Sequence, residues 1–157
     1  MMKRYEVIGQ PSVLKNSKRI SKVRGRIIVR KSAKAERIEK AFMLQLRAQH
    51  RGPTITVPIY IKFLFYGAWK AKSGNLPDLS NLFEAPQDCL QKAGVIQDDR
   101  QIESLDGSRR YAMCDTCNLR LFYLRGPKKG QRKPDCGQVK KCSYERTEII
   151  IQEYENL

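Results

Sequence analysis

Apolar and polar residues alternate most clearly over 54–66, where Ile55, Val57, Ile59, Ile61, Phe63 and Phe65 occupy every second position. Strict alternation marks a strand with one buried face. This stretch is expected to be the main strand, with those six side chains in the core. Pro58 has no N–H to give to a ladder, which predicts an edge or a bulge at that point. Shorter strands are expected from Tyr5 to the stop at Gly9 and Pro11, from Arg26 through Val29, over 101–105 before an Asp106-Gly107 turn, and over 148–154. The period becomes helical after Ser32, a fitting N-cap, with Ala35, Ile38, Phe42, Gln45 and Leu46 on one stripe. A second helix is expected after Asp78, carrying Leu79, Leu82, Phe83, Cys89, Leu90 and Ala93 and stopped by Gly94. Pro86 cannot donate to the Leu82 carbonyl, so this helix either kinks or starts there, and Ser80 is a candidate cap for its first turn. The pattern predicts an α+β fold: a mixed sheet packed by two main helices. At 157 residues the chain suits a single domain with a real core.

Charge adds a partner. Lys and Arg number 31 against 16 Asp and Glu, a net charge of +15. A polyanion is the expected partner, most plausibly nucleic acid, although a basic structural protein would carry the same charge. The cations fall in three places suited to backbone phosphates: Lys15, Lys18, Arg19, Arg24 and Arg26 in a basic loop, Lys70 and Lys72 beside Trp69, and Arg109 with Arg110. A solvated basic loop would have the same composition, and Trp69 either stacks on an exposed base or anchors its loop. No apolar run has membrane-spanning length and the start has no signal-like core, so no membrane partner is expected of this intracellular, soluble chain. His50, the only histidine, stands at a helix end and is expected to serve that terminus, which disfavours a histidine-based nuclease.

Seven of the sixteen acids lie in residues 78–106: Asp78, Glu84, Asp88, Asp98, Asp99, Glu103 and Asp106. Carboxylates gathered in a cationic protein suit a divalent cation, and a solvated acidic helix face is the plain alternative. Glu84 and Asp88 are one helical turn apart and share a face. Asp98 and Asp99 repel each other unless a cation or a base compensates. A hairpin-like return after Gly94 would bring Asp99 beside Asp78.

Five cysteines, an odd number without a secretion signal, argue against a disulfide scaffold. Four of them read Cys114-x2-Cys117-x18-Cys136-x5-Cys142, which offers four thiolates to a tetrahedral zinc ion. The second pair is spaced more loosely than usual. Residues 114–142 are therefore expected to be a small zinc-binding insertion with a basic tip inside a single domain, 1–157. Cys89 is expected in apolar surroundings.

Three runs, Asp78-Leu79-Ser80-Asn81-Leu82, Asp88 through Ile96 with its Ala93-Gly94, and Asp98-Asp99-Arg100-Gln101-Ile102, resemble the RusA-type Holliday junction resolvase family. The family motif reads D-x-D-N-L, then an acid before a Leu, then A-G, then D-D-x-Q-I. The resemblance extends over most of the chain, is densest over 77–102, and does not explain the cysteine insertion. It implies a magnesium-dependent, structure-specific endonuclease that resolves four-way DNA junctions by paired phosphodiester hydrolysis. It also implies a homodimer and a cytoplasmic, bacterial or phage setting. Carried over by position, Asp78 and Asp99 are the magnesium ligands, with Asp88, Asp98 or Glu84 assisting. Two positions depart from the motif: Ser80 stands where the family has its second catalytic Asp, and Glu84 where a Lys is usual. Glu84 restores a carboxylate but not a cation. Two rival functions follow: a non-catalytic branched-DNA-binding protein with a degenerate site, and an adaptor that binds nucleic acid through the cysteine knuckle.

Overall fold

The computed structural model describes residues 1–11, 18–67, 77–112, 126–129, 131 and 145–154. Seven strands, β1 (Met2–Ile8), β2 (Lys18–Val23), β3 (Arg26–Lys31), β4 (Ile59–Gly67), β5 (Ile102–Ser104), β6 (Arg109–Ala112) and β7 (Arg146–Glu153), accompany two helices, α1 (Ala33–Gln49) and α2 (Leu79–Lys92). The main sheet has the order β1-β7-β4-β5, and β6 also pairs with β4. β7 is antiparallel to both β1 and β4, whereas β5 and β6 run parallel to β4. A parallel pair cannot be closed by a tight turn, and α2 supplies the crossover. β2 and β3 form a separate two-stranded ribbon. This is the expected α+β fold with a mixed sheet and two helices.

The pleat decides which face is buried. Ile59, Ile61, Phe63 and Phe65 of β4 lie in the core with Ile149 and Ile151 of β7, Tyr5 and Val7 of β1, Phe42 and Leu46 of α1, and Leu82, Cys89 and Leu90 of α2. The register sets Phe63 opposite Ile149 and Ile61 opposite Ile151. Truncating a core aromatic such as Phe63 to alanine would cost about 3–5 kcal/mol. On the opposite face Arg146 lies over the Tyr66 ring, 3.9 Å from its centroid, and pairs with Glu148 at 3.1 Å.

Several expectations held. Ser32 caps α1, its Oγ accepting from the Ala35 N–H at 3.2 Å. His50 is the C-cap of α1, and its Nδ1 lies 2.8 Å from the Tyr5 hydroxyl. Gly94 follows α2 with φ +76°, a conformation that glycine adopts without strain.

Others are corrected. β4 starts at Ile59, not at residue 54. Ahead of it Ile55 makes only an isolated bridge to Ile96, and Val57 is 42% exposed rather than in the core. The Ile55 carbonyl accepts from the Gln97 N–H at 3.1 Å as well as from the Gln101 side chain, and that of Val57 accepts from the Gln101 side chain. Pro58 thus precedes a central strand rather than an edge, and the expected irregularity falls just after it, where the pairing with β5 shifts register between Ile59 and Tyr60. α2 runs through Pro86, neither starting there nor capped by Ser80, since its N-cap is Asp78. Part of the basic segment expected as a loop is strand: β2 and β3 turn at Arg24 and Gly25, with φ of 49° and 79°, as tight hairpin turns require. Gln101, expected in a strand, belongs to a 3-10 turn, Asp99–Gln101. The expected zinc ligands Cys114, Cys117, Cys136 and Cys142 fall outside the described residues, as do Lys15, Trp69, Lys70 and Lys72.

Candidate active site

Asp78 is held from below. Its backbone is extended, with φ −60° and ψ 141°, and starts α2, yet its carboxylate makes no capping hydrogen bond. The Asp78 side is exposed, while Leu82 one turn later is buried in the core. The preceding carbonyl, that of Pro77, accepts from the Arg110 guanidinium. Arg110 lies in β6 directly opposite Phe65 of β4. The start of α2 is thereby fastened to the C-terminal end of β4, and an exposed carboxylate stands at that point.

The second acidic position is built by a capping box. The Asp98 carboxylate accepts from the Arg100 N–H at 2.9 Å, and the Gln101 Oε1 accepts from the Gln97 and Asp98 N–H groups at 2.9 Å each. Gln101 Nε2 donates to the Val57 carbonyl at 3.0 Å and to that of Ile55 at 3.3 Å, tying the turn to the entry of β4. The Arg100 N–H, foremost, holds the Asp98 carboxyl below the usual carboxylate range. Asp98 is thus engaged in the turn itself, while Asp99 is exposed.

The two exposed acids do not meet in one chain. Asp99 sits at the end of β4 that begins at Ile59, because Ile102 pairs with Ile59. Asp78 follows Pro77, whose carbonyl is held by Arg110, the β6 residue paired with Phe65 toward the other end of β4. The 14 residues of α2 span the gap, about 20 Å at 1.5 Å per residue. The hairpin-like return expected to bring Asp99 beside Asp78 is replaced by a parallel crossover, which delivers the chain to the far end of the sheet. Glu84 is exposed on α2, roughly 9 Å along the axis from Asp78, and Asp88 lies roughly 15 Å along it. Among the described residues no three carboxylate, thiol or imidazole groups converge on one point. In kind, exposed carboxylates fit a hard divalent cation. In position, Asp78 and Asp99 fit one only if two chains contribute.

The candidate DNA-contacting cations divide by position. Arg24 forms the tip of the ribbon, Arg19 and Arg26 are exposed on its strands, and Lys18 begins β2. Arg109 is exposed on β6. Arg110 is half-buried and spends its guanidinium on Pro77, so it supports the approach to Asp78. That role was not apparent from sequence, whereas the Gln101 cap carries a legible signal: Asp followed three residues later by Gln. Glu39 was also missed. It accepts from Lys31 at 2.6 Å and from Lys92, joining β3, α1 and α2.

Exposed acids before and after the crossover helix, in a chain of net charge +15, suit a protein whose partner is a polyanion. The family model for endodeoxyribonuclease RusA matches residues 9–117, well over half of the chain. The protein belongs to the RusA endodeoxyribonuclease family. No curated protein matches it. No helix among the described residues is long and apolar enough to cross a membrane.

Proposed function

We propose that this protein is a magnesium-dependent, structure-specific endonuclease that resolves four-way DNA junctions by paired phosphodiester hydrolysis. The observation that carries the reading is the family match across the segment holding Asp78 and Asp99. In a homodimer, Asp78 of one chain and Asp99 of the other would hold one magnesium ion, and two-fold symmetry would repeat the arrangement for the second cut. Bound there, magnesium would polarise the phosphate and lower the pKa of an attacking water. The chain's own residues set the stage. Arg110 fixes the approach to Asp78, Gln101 fixes the turn that carries Asp99, and Glu84 returns the charge lost at Ser80. The basic ribbon and Arg109 would hold the DNA backbone through phosphates without reading sequence. Cys114, Cys117, Cys136 and Cys142 would hold a structural zinc ion in the insertion.

Ser80 and Glu84 favour a second reading, a branched-DNA-binding protein without catalysis. A synthetic four-way junction, incubated with and without magnesium, separates the two. Symmetric paired nicks that require magnesium are expected. Tight junction binding with no cleavage at any magnesium concentration would establish the binder.

A further inference from the structure

Both faces of the β2–β3 ribbon carry cations, and one of them groups three exposed aliphatic side chains among its lysines. Side chains alternate along each strand, and residues paired across an antiparallel ladder share a face. Ile20 pairs with Val29, and Lys22 with Ile27, on one face. Arg19 pairs with Arg30, and Val23 with Arg26, on the other. Ile20, Ile27 and Val29 are 75, 73 and 56% exposed. Three branched aliphatic side chains standing together in water on a ribbon outside the main sheet are a surface made to be covered.

Charge decides what covers it. Seven of the 14 residues in 18–31 are Lys or Arg and none is Asp or Glu. Lys31 is paired with Glu39. A second copy of the ribbon would bring the same positive charge against it, whereas a nucleic acid complements it. Phosphates suit the cations of both faces, but the aliphatic groups gain nothing from phosphates. Beyond the single methyl groups of thymine, the extended apolar surfaces of DNA are the flat faces of its bases. These are closed inside a stacked duplex and open where strands exchange.

We propose that Ile20, Ile27 and Val29 form an apolar wedge that docks on unstacked base faces at a DNA branch point, while Arg19 and Arg30 hold the flanking backbone. Apolar side chains inserted at base steps are a general means of holding DNA unstacked. The proposal rests on the branched-DNA reading above and adds the surface that would recognise the branch.

The test uses the full chain and a four-way junction carrying 2-aminopurine at the branch point, without divalent metal, with a distal dye reporting binding by anisotropy. 2-Aminopurine brightens on unstacking. Wild type is expected to raise its fluorescence several-fold at saturation. The Ile20→Thr/Ile27→Thr variant, which keeps β-branched residues in the ribbon, should bind within a few-fold of wild type, melt at the same temperature and lose most of that rise. Arg19→Ala/Arg30→Ala should bind about tenfold more weakly with a shallower salt dependence, and keep the rise at saturation. Val29→Thr gives a milder second check. A full fluorescence rise from the threonine variant, or binding by wild type without any rise, would overturn the wedge. So would a change in oligomeric state of the threonine variant with fluorescence unchanged, which would make the face a contact between copies. Absence of anisotropy change with wild type would overturn the branched-DNA reading and the wedge with it.

Discussion

Asp78 begins α2 and Asp99 follows its far end, at the Ile59 end of β4, so a helix about 20 Å long lies between the two. If the two form one site, they do so across chains, and a mixed dimer reveals it. Asp78→Asn and Asp99→Asn should each abolish cleavage while keeping junction binding, because each removes a ligand charge with little change of shape. Mixed and re-equilibrated, the two inactive proteins should regain single-strand nicking at roughly a quarter of wild-type site density. Each heterodimer would then hold one intact site and one doubly substituted site. A site completed within one chain predicts no recovery, and junction nicking assays on the mixture distinguish the two.

The departure at Ser80 and Glu84 carries its own prediction. Glu84 is exposed on α2 and lies nearer to Asp78 than Asp88 does. If it restores the missing charge, Glu84→Ala should lower kcat about 100-fold or more with junction affinity unchanged. Ser80 is exposed in the first turn of α2, so Ser80→Asp should fold normally and even gain roughly 0.3–1 kcal/mol from the helix dipole. Single-turnover cleavage checks both. Activity that survives Glu84→Ala makes it a solvated helix residue, and activity that appears only in Ser80→Asp makes the natural protein a binder.

The elements that the sequence made legible are those written in periodicity. Phe63 and Phe65 alternate as a half-buried strand, Phe42 and Leu46 follow a helical stripe, and each lies in the core. Val57 continued the same alternation and misled, because a strand also needs a partner ladder, and there the Gln101 side chain takes the Val57 carbonyl. The acidic positions were legible as chemistry, but their separation was not. Nothing local at Gly94 distinguishes a hairpin return from a parallel crossover, because the decision rests on pairing between β4 and β5. Arg110 and Glu39 were equally hidden, since their partners Pro77, Lys31 and Lys92 are far away in sequence.

Glu39 predicts a pH dependence. Burial pushes its carboxyl up, but hydrogen bonds from Lys31 and Lys92 outweigh that and hold it below the usual Glu range. A carboxyl depressed in the folded state contributes stability above its unfolded pKa of about 4.3 and loses it as pH falls through the lower folded value. Glu39→Gln should destabilise the fold by ~1–3 kcal/mol near neutrality, since two ammonium groups lose a charged acceptor. The gap between variant and wild type should close in acid below about pH 4. Urea denaturation at several pH values measures it, and a gap that persists unchanged at acid pH would remove Glu39 from the account.

The cysteines divide into two chemistries that one labelling experiment separates. Cys89 is 1% exposed on α2, and burial, foremost, together with the Glu39 charge pushes its thiol up to about 12. The thiolate is the reactive form, so Cys89 should resist alkylation in the native protein at neutral pH. Cys114, Cys117, Cys136 and Cys142, if they share a zinc ion, should resist for a different reason: the metal holds their sulfurs. Purified protein should then contain one zinc per chain by elemental analysis and take up almost no maleimide. A strong chelator should expose those four sulfurs to labelling and leave Cys89 untouched, as peptide mapping by mass spectrometry would show. Cys114→Ser should release the zinc while melting of the core shifts little, because the strands and helices that build the described core lie outside 114–142. Four freely alkylated thiols in metal-free native protein would dismiss the zinc site, and labelling of Cys89 at the same rate would show that α2 opens locally.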